Sequence, residues 1–516
     1  MSQKFTSTIA GASIFISIIG LLSRGLGFIR EMIFANNFGL ETEFDLYLVG
    51  AVLPITINSV ILYIGQNYFI PEFQKLNTSN PDEAQKYFKQ AFIGFTVAGT
   101  LLAALLFFAS DFIITSYMHS APAASREIAI QIFKIFLLTI PFSAAVSILS
   151  ALLQTVYEFK YPAVSLLFLN FSIIVLLLVF SDRFGVFIIP IGYTVGTILQ
   201  FGYLLIKSRK FVKLNLLARD GDYNFSKSIL NSSIIIIILI ESVSQLYSIL
   251  DRYFYGEISS GGIASLNYAL IIWFLPVSIF SISLATAVFP TITKAINESS
   301  YSDVEKIYNE SISINTFIFI PIAFILFFYG DTLIRVFFER GKFVEESTAI
   351  TFGVLRFYAL SITFYSVYAV FNKIFYGIGK AKILLLITVT GLLLKLLFNF
   401  LLIDLQQDGL ALSTSISFIF FFFASYIFLN INLKIKDRSL FAKDFIIHFI
   451  NCVICLLSLK IISDIFFINN ILWEVIIIGV FILLYIFNLT LIKHNAIDIS
   501  GKVIKRFNIN NAIKAG

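Results

Sequence analysis

The stretch SRGLGFIRE, Ser23 to Glu31, sets Arg24 and Arg30 inside the first long apolar run of this 516-residue chain, and Asp45 follows early in the second. A charge at mid-bilayer depth costs roughly 2.5 to 3.5 kcal/mol even on a lenient insertion scale, so each must line a wet cavity or meet a partner of opposite sign. Guanidinium groups keep their charge in a low-dielectric site and present a planar fork that grips carboxylate or phosphate oxygens two at a time. The chemistry on offer is anion binding, with Asp45 available to hold an arginine while the site is empty. Further along, Glu241, Ser244, Gln245, Ser248 and the Asp251 and Arg252 pair recur at three- and four-residue steps, which draws a polar stripe along one helix face. Lys134, Arg356, Lys373 and Lys395 are further cations in apolar runs. Lys395 lies too deep to snorkel, whereas Lys373 is near enough to a helix end for its ammonium to reach water.

The elements that must position these groups are membrane helices. Hydrophobic residues make up 58% of the chain and charged residues 13%, and the mean hydropathy is +0.90, a balance that leaves too little polar surface for a soluble globule. Apolar runs of about twenty residues recur, giving an expectation of about fourteen spans. Most Lys and Arg fall in alternate connections, including the 207–227 segment and the tail from 493, so both termini are expected in the cytoplasm. The net charge of +6 is then a topology signal. Lys207, Arg209, Lys210, Lys213 and Arg219 are spread along one short linker, which argues against a nucleic-acid footprint. The first run has only Lys4 before it and no small-residue cleavage site after it, so it reads as retained. Cys452 and Cys455 form a CxxC with His448 on the same helical face, but no fourth ligand stands nearby, and they read as packing residues. Gly377 with Gly379 is too weak a match for a nucleotide-binding loop.

The chain also repeats itself. FDLYLVGAVLP, with Asp45 and Pro54, matches LNYALIIWFLP, with Asn267 and Pro276. SDFIITSYMHS near 110–120, leading into a helix that ends QTVYEFKYP, is echoed by GDTLIRVFFERGKF near 330–343, leading into a helix that ends NKIFYGIGKAK. The expected organisation is an all-α polytopic membrane protein with two six-helix lobes around a central cavity plus two C-terminal helices. Residues 1–219 form the first lobe and a basic linker, 220–440 the second lobe, and 441–516 the two additional spans and a basic cytoplasmic tail. Repeat-built bundles of this kind are the usual basis of alternating access.

SRGLGFIRE with FDLYLVGAVLP, then DRYFYGEISSGGIASLNYA from Asp251 to Ala269, then LIRVFFERGKF from Leu333 to Phe343, resembles the MurJ/MviN lipid II flippases of the multidrug/oligosaccharidyl-lipid/polysaccharide exporter superfamily. The resemblance implies a V of two lobes around a cationic cavity, with the last two helices forming a groove for a polyprenyl tail. It places the family's first-helix arginines at Arg24 and Arg30 and its second-helix aspartate at Asp45, with Glu241, Arg356 and Lys395 as further candidate substrate-binding residues. The implied substrate is a polyprenyl-diphosphate-linked glycan, carried between leaflets of the bacterial inner membrane with no catalytic residues and no cofactor. The resemblance also raises sodium coupling, with Glu241, Asn399, Asp404 and Thr414 as the oxygen ligands. Gly25 and Gly27 would let the first helix bend or a neighbour approach closely.

Two departures weaken the expected anion site. The family has basic residues soon after the LP of the second span, where this chain reads ITINSV from Ile55 to Val60, and an arginine shortly after the YA of the eighth, where this chain has Leu270 and Ile271. Either other cations replace them, or the cargo is another lipid-linked glycan such as an O-antigen or capsule unit. A cation-coupled drug exporter would be expected to line its cavity with acids instead of paired arginines. A glycan polymerase would need a large outward loop, and the connections near 111–126 and 331–349 are short.

Overall fold

The computed structural model describes residues 9–211, 232–433, 435–466, 470–492 and 494; the side chains of 9–17, 67, 232–238, 241 and 461–466 lie outside that description. Every regular element among the described residues is a helix. The chain divides into two compact units, 1–264 and 265–516.

The first unit holds α1 (Ile9–Phe38), α2 (Thr42–Ile64), α3 (Ile70–Ser79), α4 (Pro81–Phe108), α5 (Ser110–Tyr117), α6 (Ala123–Leu137), α7 (Thr139–Thr155), α8 (Lys160–Phe184), α9 (Ile188–Ser208) and α10 (Ser232–Tyr253). Its pillar is the α6–α7 pair, whose most apolar window is 78% buried. Small residues permit this: Ser143, Ala144, Ala145, Ser147, Ser150 and Ala151 are all buried on α7, and small side chains let helix backbones close up where lipid offers no hydrophobic drive. The tightest approach is at Gly65, where an added Cβ would collide with the Ser147 hydroxyl and lie 2.8 Å from its Cβ. α4 starts where its sequence says it should. The Asn80 side chain accepts from the Asp82 and Glu83 amides, Pro81 occupies the first turn, and the two acids there complement the helix dipole.

The second unit holds most of α11 (Gly262–Pro276), then α12 (Ile282–Asn297), α13 (Tyr301–Phe338), α14 (Glu345–Ala359), α15 (Ile362–Gly377), α16 (Ala381–Leu401), α17 (Gln406–Asn432), α18 (Leu440–Phe466) and α19 (Ile471–Leu491). Its pillar is α13, which packs against α14, α15, α18 and α19. At about 1.5 Å per residue it is far longer than the bilayer core, and it breaks its helical geometry at Tyr329, next to Gly330.

Several expectations shift. By length and composition ten described helices can cross a membrane, eleven with the bent α14–α15 pair, against the fourteen expected. One of the ten, Lys160–Ser208, contains both α8 and α9. The boundary between the two compact units falls after Ala264, and α10 packs on α2 and α5. The linker positions Lys213 and Arg219 and the tail from 495 lie outside the described residues. Among the described residues Gly25 has nothing within 4 Å of an added Cβ, and Gly27 only Asn170 Oδ1 at 3.9 Å, so neither glycine serves a close approach to a described helix.

Candidate functional site

The best-defined polar constellation in the first unit forms around Arg30. α1 packs along α8, and α8 carries Asn170, a buried carboxamide in an otherwise apolar run. Arg30 Nη1 donates to Asn170 Oδ1 at 3.0 Å, while Asn170 Nδ2 donates to the Ser23 carbonyl at 3.2 Å, so one side chain ties two points of α1 to α8. On its other side Arg30 meets Glu31, with Nη2 2.5 Å and Nε 3.2 Å from the same oxygen, Oε1. The guanidinium also lies 5.6 Å from the ring centre of Phe34 and 5.5 Å from that of Tyr193 on α9. The pair is 16% and 12% exposed. A buried charge is tolerable when it is paired and its remaining donors are satisfied, and here a carboxylate, a carboxamide and two aromatic faces do that.

Arg24 stands apart from this clamp. Six residues of helix separate it from Arg30, about 9 Å of rise and about 120° of rotation, and Arg24 is exposed whereas Arg30 is half-buried. The structure does not bring the two arginines onto one face of α1. Arg24 is presented outward and Arg30 is held inward against α8 and α9.

Asp45 is fully buried and serves a different partner from the one expected. Its Oδ2 accepts from the Gly261 amide and its Oδ1 from the Ala264 amide, both at 2.7 Å. Those amides belong to the turn that opens α11, where free N–H groups and the helix dipole favour a carboxylate. Gly261 adopts φ +80°, and an added Cβ would sit 2.6 Å from the Leu40 carbonyl, so the turn depends on a glycine. The Thr42 and Ser260 hydroxyls meet at 2.6 Å, and Ser120 donates to Glu257 Oε1 at 3.1 Å. The arginine whose charge acts on Asp45 is the buried Arg252. Asp45 therefore fastens the 255–264 turn to the start of α2.

In the second unit the remaining candidates occupy separate places. Arg356 is exposed on α14, its guanidinium 4.7 Å from the Phe327 ring centre and 5.5 Å from that of Phe352. Lys395 is 1% exposed on the buried stripe of α16, one turn from Gly391 and one from Asn399. α17 flanks it at both levels: Ser417 donates to the Gly391 carbonyl at 2.7 Å, and the Ser413 hydroxyl bonds Asn399 Oδ1. Of the proposed sodium ligands, Asn399 is thus engaged by Ser413, Thr414 donates to the Leu410 carbonyl, and Asp404 is exposed in a turn. The Glu241 side chain lies outside the described residues. Lys134 lies 3.7 Å from Asp111 and 5.2 Å from the Phe107 ring centre, and Lys373 is 6.0 Å from that of Tyr376.

The same unit contains a cavity of about 910 Å³ walled by α13, α14, α15, α18 and α19. Phe324, Phe327, Phe328, Phe364, Phe445 and Phe449 line it, together with the polar residues Asp331, Thr332, Lys460 and Glu474. Arg335 bridges Asp331 at 2.8 Å and Glu474 at 3.5 Å, and Thr332 donates to Glu474 at 2.7 Å. Asn170, Tyr193 and this cavity are what the sequence reading missed. A lone carboxamide inside the apolar run LLFLNFSII was the one available signal for the first.

These features define a multi-pass, all-helical membrane protein with a half-buried guanidinium clamp in one unit and a largely apolar cavity in the other. Its fold is similar to that of an inward-facing MATE family multidrug resistance transporter of the MOP superfamily, with a TM-score of 0.66, 14% identity, and 80% of this chain and 94% of that chain covered. A closer fold match is a lipid II flippase MurJ in an inward closed conformation, with a TM-score of 0.80 at 24% identity over 94% of this chain and all of that one. The family model described as lipid II flippase MurJ matches residues 34–485, and the chain belongs to that family. A probable lipid II flippase MurJ from Borreliella burgdorferi is 26% identical over 404 residues, 77% of each chain.

Proposed function

We propose that this protein moves a polyprenyl-diphosphate-linked glycan precursor, lipid II-like, from the inner to the outer leaflet of the bacterial cytoplasmic membrane by alternating access, with both termini in the cytoplasm. Membership of a flippase family supports the transport class. The observation that carries the anion-binding part is the Arg30 clamp: a membrane helix bears a guanidinium kept charged and oriented by Asn170 and Glu31, with a second, exposed guanidinium at Arg24. Arg24 meets the diphosphate first. Arg30, tied to α8 on a different face of the helix, fixes α1 with Arg24 turned outward, and its fork becomes available when the substrate oxygens displace Glu31.

The apolar cavity of the second unit takes the tail, which never has to enter water. With the interior negative, outward movement of an anion is favoured by about 2.3 kcal/mol per charge per 100 mV, and the same field returns an empty cationic site inward. Asp45 acts at the closing step by fastening the 255–264 turn. Neutral residues at 55–60 and at Leu270 and Ile271 favour a second cargo reading, an O-antigen or capsule repeat unit on the same diphosphate carrier.

The test is rescue of a bacterium depleted of its own lipid II flippase, with membrane abundance measured in the same cells. Rescue that Arg24→Ala abolishes at equal abundance supports lipid II. Failure of the well-expressed wild-type protein moves the cargo to the other glycans, and rescue by Arg24→Ala rejects the anion site.

A further inference from the structure

α13 contains Pro321, which has no N–H to give, so the carbonyl of Phe317 one turn earlier loses its helical donor. The structure supplies a replacement from another helix. The Tyr485 hydroxyl of α19 donates to the Phe317 carbonyl at 2.9 Å. That proton being committed, the 2.8 Å contact between the Tyr485 oxygen and His448 Nδ1 of α18 must be filled by an imidazole N–H. His448 is thereby held as the Nδ1–H tautomer, and its other nitrogen, Nε2, carries a bare lone pair.

That lone pair is buried, His448 is 0% exposed, and Nε2 has no hydrogen-bond partner among the described residues. The ring of His494, just beyond α19, stands 4.8 Å away at 66°. His494 Nε2 lies 3.8 Å from Asp444 Oδ1, and Asp444 Oδ2 accepts from Ser313 of α13 at 2.5 Å. The other ionisable groups around the site are Cys452 and Cys455 on α18 and Tyr485 on α19; Asp437 and Lys443 lie further out, next to Asp444. α13 contributes a neutral hydroxyl and a carbonyl. Three helices therefore meet around one unfilled basic nitrogen, at the edge of the apolar cluster that includes Cys452, Cys455, Phe481 and Tyr485.

We propose that His448 Nε2 is a proton-binding site that sets how tightly α18 and α19 are held to α13. With the site empty, the Phe317–Tyr485–His448 chain is complete and dry. Binding one proton from water places a positive charge in that dry cluster, and the relief is for the α18–α19 pair to admit water. Acid therefore loosens the lock, because His448 takes a proton far more readily once the seam has admitted water than while it is dry. This inference does not depend on the identity of the cargo.

The chain's two cysteines report the state of the lock, since Cys452 and Cys455 are 0% and 1% exposed in the same seam. The experiment measures the reaction of the full-length protein in nanodiscs with 4,4′-dithiodipyridine, which consumes thiols in acid as well as at neutral pH. Each rate is divided by that of N-acetylcysteine at the same pH, since less thiolate is present in acid; the expected ratio rises about tenfold between pH 7.5 and 5.5 for the wild type and changes less than about twofold for His448→Asn, whose amide nitrogen can replace the Nδ1 donor but cannot titrate. A flat wild-type profile, or the same rise in His448→Asn, overturns the proposal. If His448→Asn already reacts quickly at pH 7.5, His494→Gln decides. A rise that persists leaves the proton on His448, and a rise that vanishes assigns it to His494 and overturns the proposal.

Discussion

Replacing Asp45 by Asn tests the assignment of that residue as a fastener of the 255–264 turn. The carboxylate accepts from two backbone amides at 2.7 Å, one on each oxygen. The Asn side chain offers one carbonyl oxygen and one NH2 group, so one amide keeps a partner and the other faces a donor. Hydrogen bonds to a charged acceptor contribute about 1.5 to 3 kcal/mol each, and a buried donor left unmade costs about 1 to 3 kcal/mol. The turn should lose about 2 to 4 kcal/mol of local stability. At about 1.4 kcal/mol per factor of ten, that is roughly 30- to 700-fold faster amide exchange at Gly261 and Ala264, wherever exchange proceeds by local opening. Hydrogen exchange followed by mass spectrometry on peptides covering 255–266, with the α13 peptides as internal reference, reads this directly. Unchanged protection at 255–266 would refute the fastener role and return Asp45 to the arginine-holding role first expected of it.

Other expectations follow from particular contacts. Asn170→Leu removes the ties to both Arg30 and the Ser23 carbonyl, and should lower transport at least tenfold with membrane abundance little changed; normal transport would contradict the clamp. Arg30→Lys keeps the charge but cannot meet Asn170 and Glu31 together, and should behave nearly as Arg30→Ala in the same assay. Gly261→Ala must strain a φ of +80° and crowd the Leu40 carbonyl, so its 255–266 peptides should exchange faster than those of wild type. Outside the spans, the Ser439 hydroxyl and amide, with Lys443 nearby, hold the Asp437 carboxyl below the usual carboxylate range. Its stabilisation of the α17–α18 turn is therefore present above about pH 4 and lost as pH falls through its lowered folded value. Ser439→Ala should flatten that acid dependence in exchange of the 433–440 segment.

Much of the fold was legible because membrane physics leaves few choices. A chain this apolar must satisfy its backbone within helices, and the repeated FDLYLVGAVLP and LNYALIIWFLP stretches raise the expectation of two related halves. The site was legible only where side-chain type carries the signal. A guanidinium inside an apolar run announces itself, and Arg24 and Arg30 did. Which way each faces was not legible, since that depends on α8 and α9 packing along α1, and the partner Asn170 lies 140 residues away in sequence. The role of Asp45 was hidden for a different reason. Its partners are backbone amides, which every residue but proline has, so no residue type at 261 or 264 marks them beyond the glycine that the turn geometry requires. The tyrosine replacing the donor missing at Pro321 is likewise a meeting of three distant segments with no local signature.

The most direct test of the central claim is leaflet accessibility of a polyprenyl-diphosphate glycan in proteoliposomes containing the purified protein, read by an enzyme confined to the outside that modifies only the exposed glycan. Wild-type protein should make the protected half of the substrate accessible, faster when a membrane potential favours movement of the anion toward the enzyme, and Arg24→Ala should leave that half protected. Equal protection with wild-type protein and with empty liposomes, for lipid II and for O-antigen and capsule precursors alike, would contradict the account.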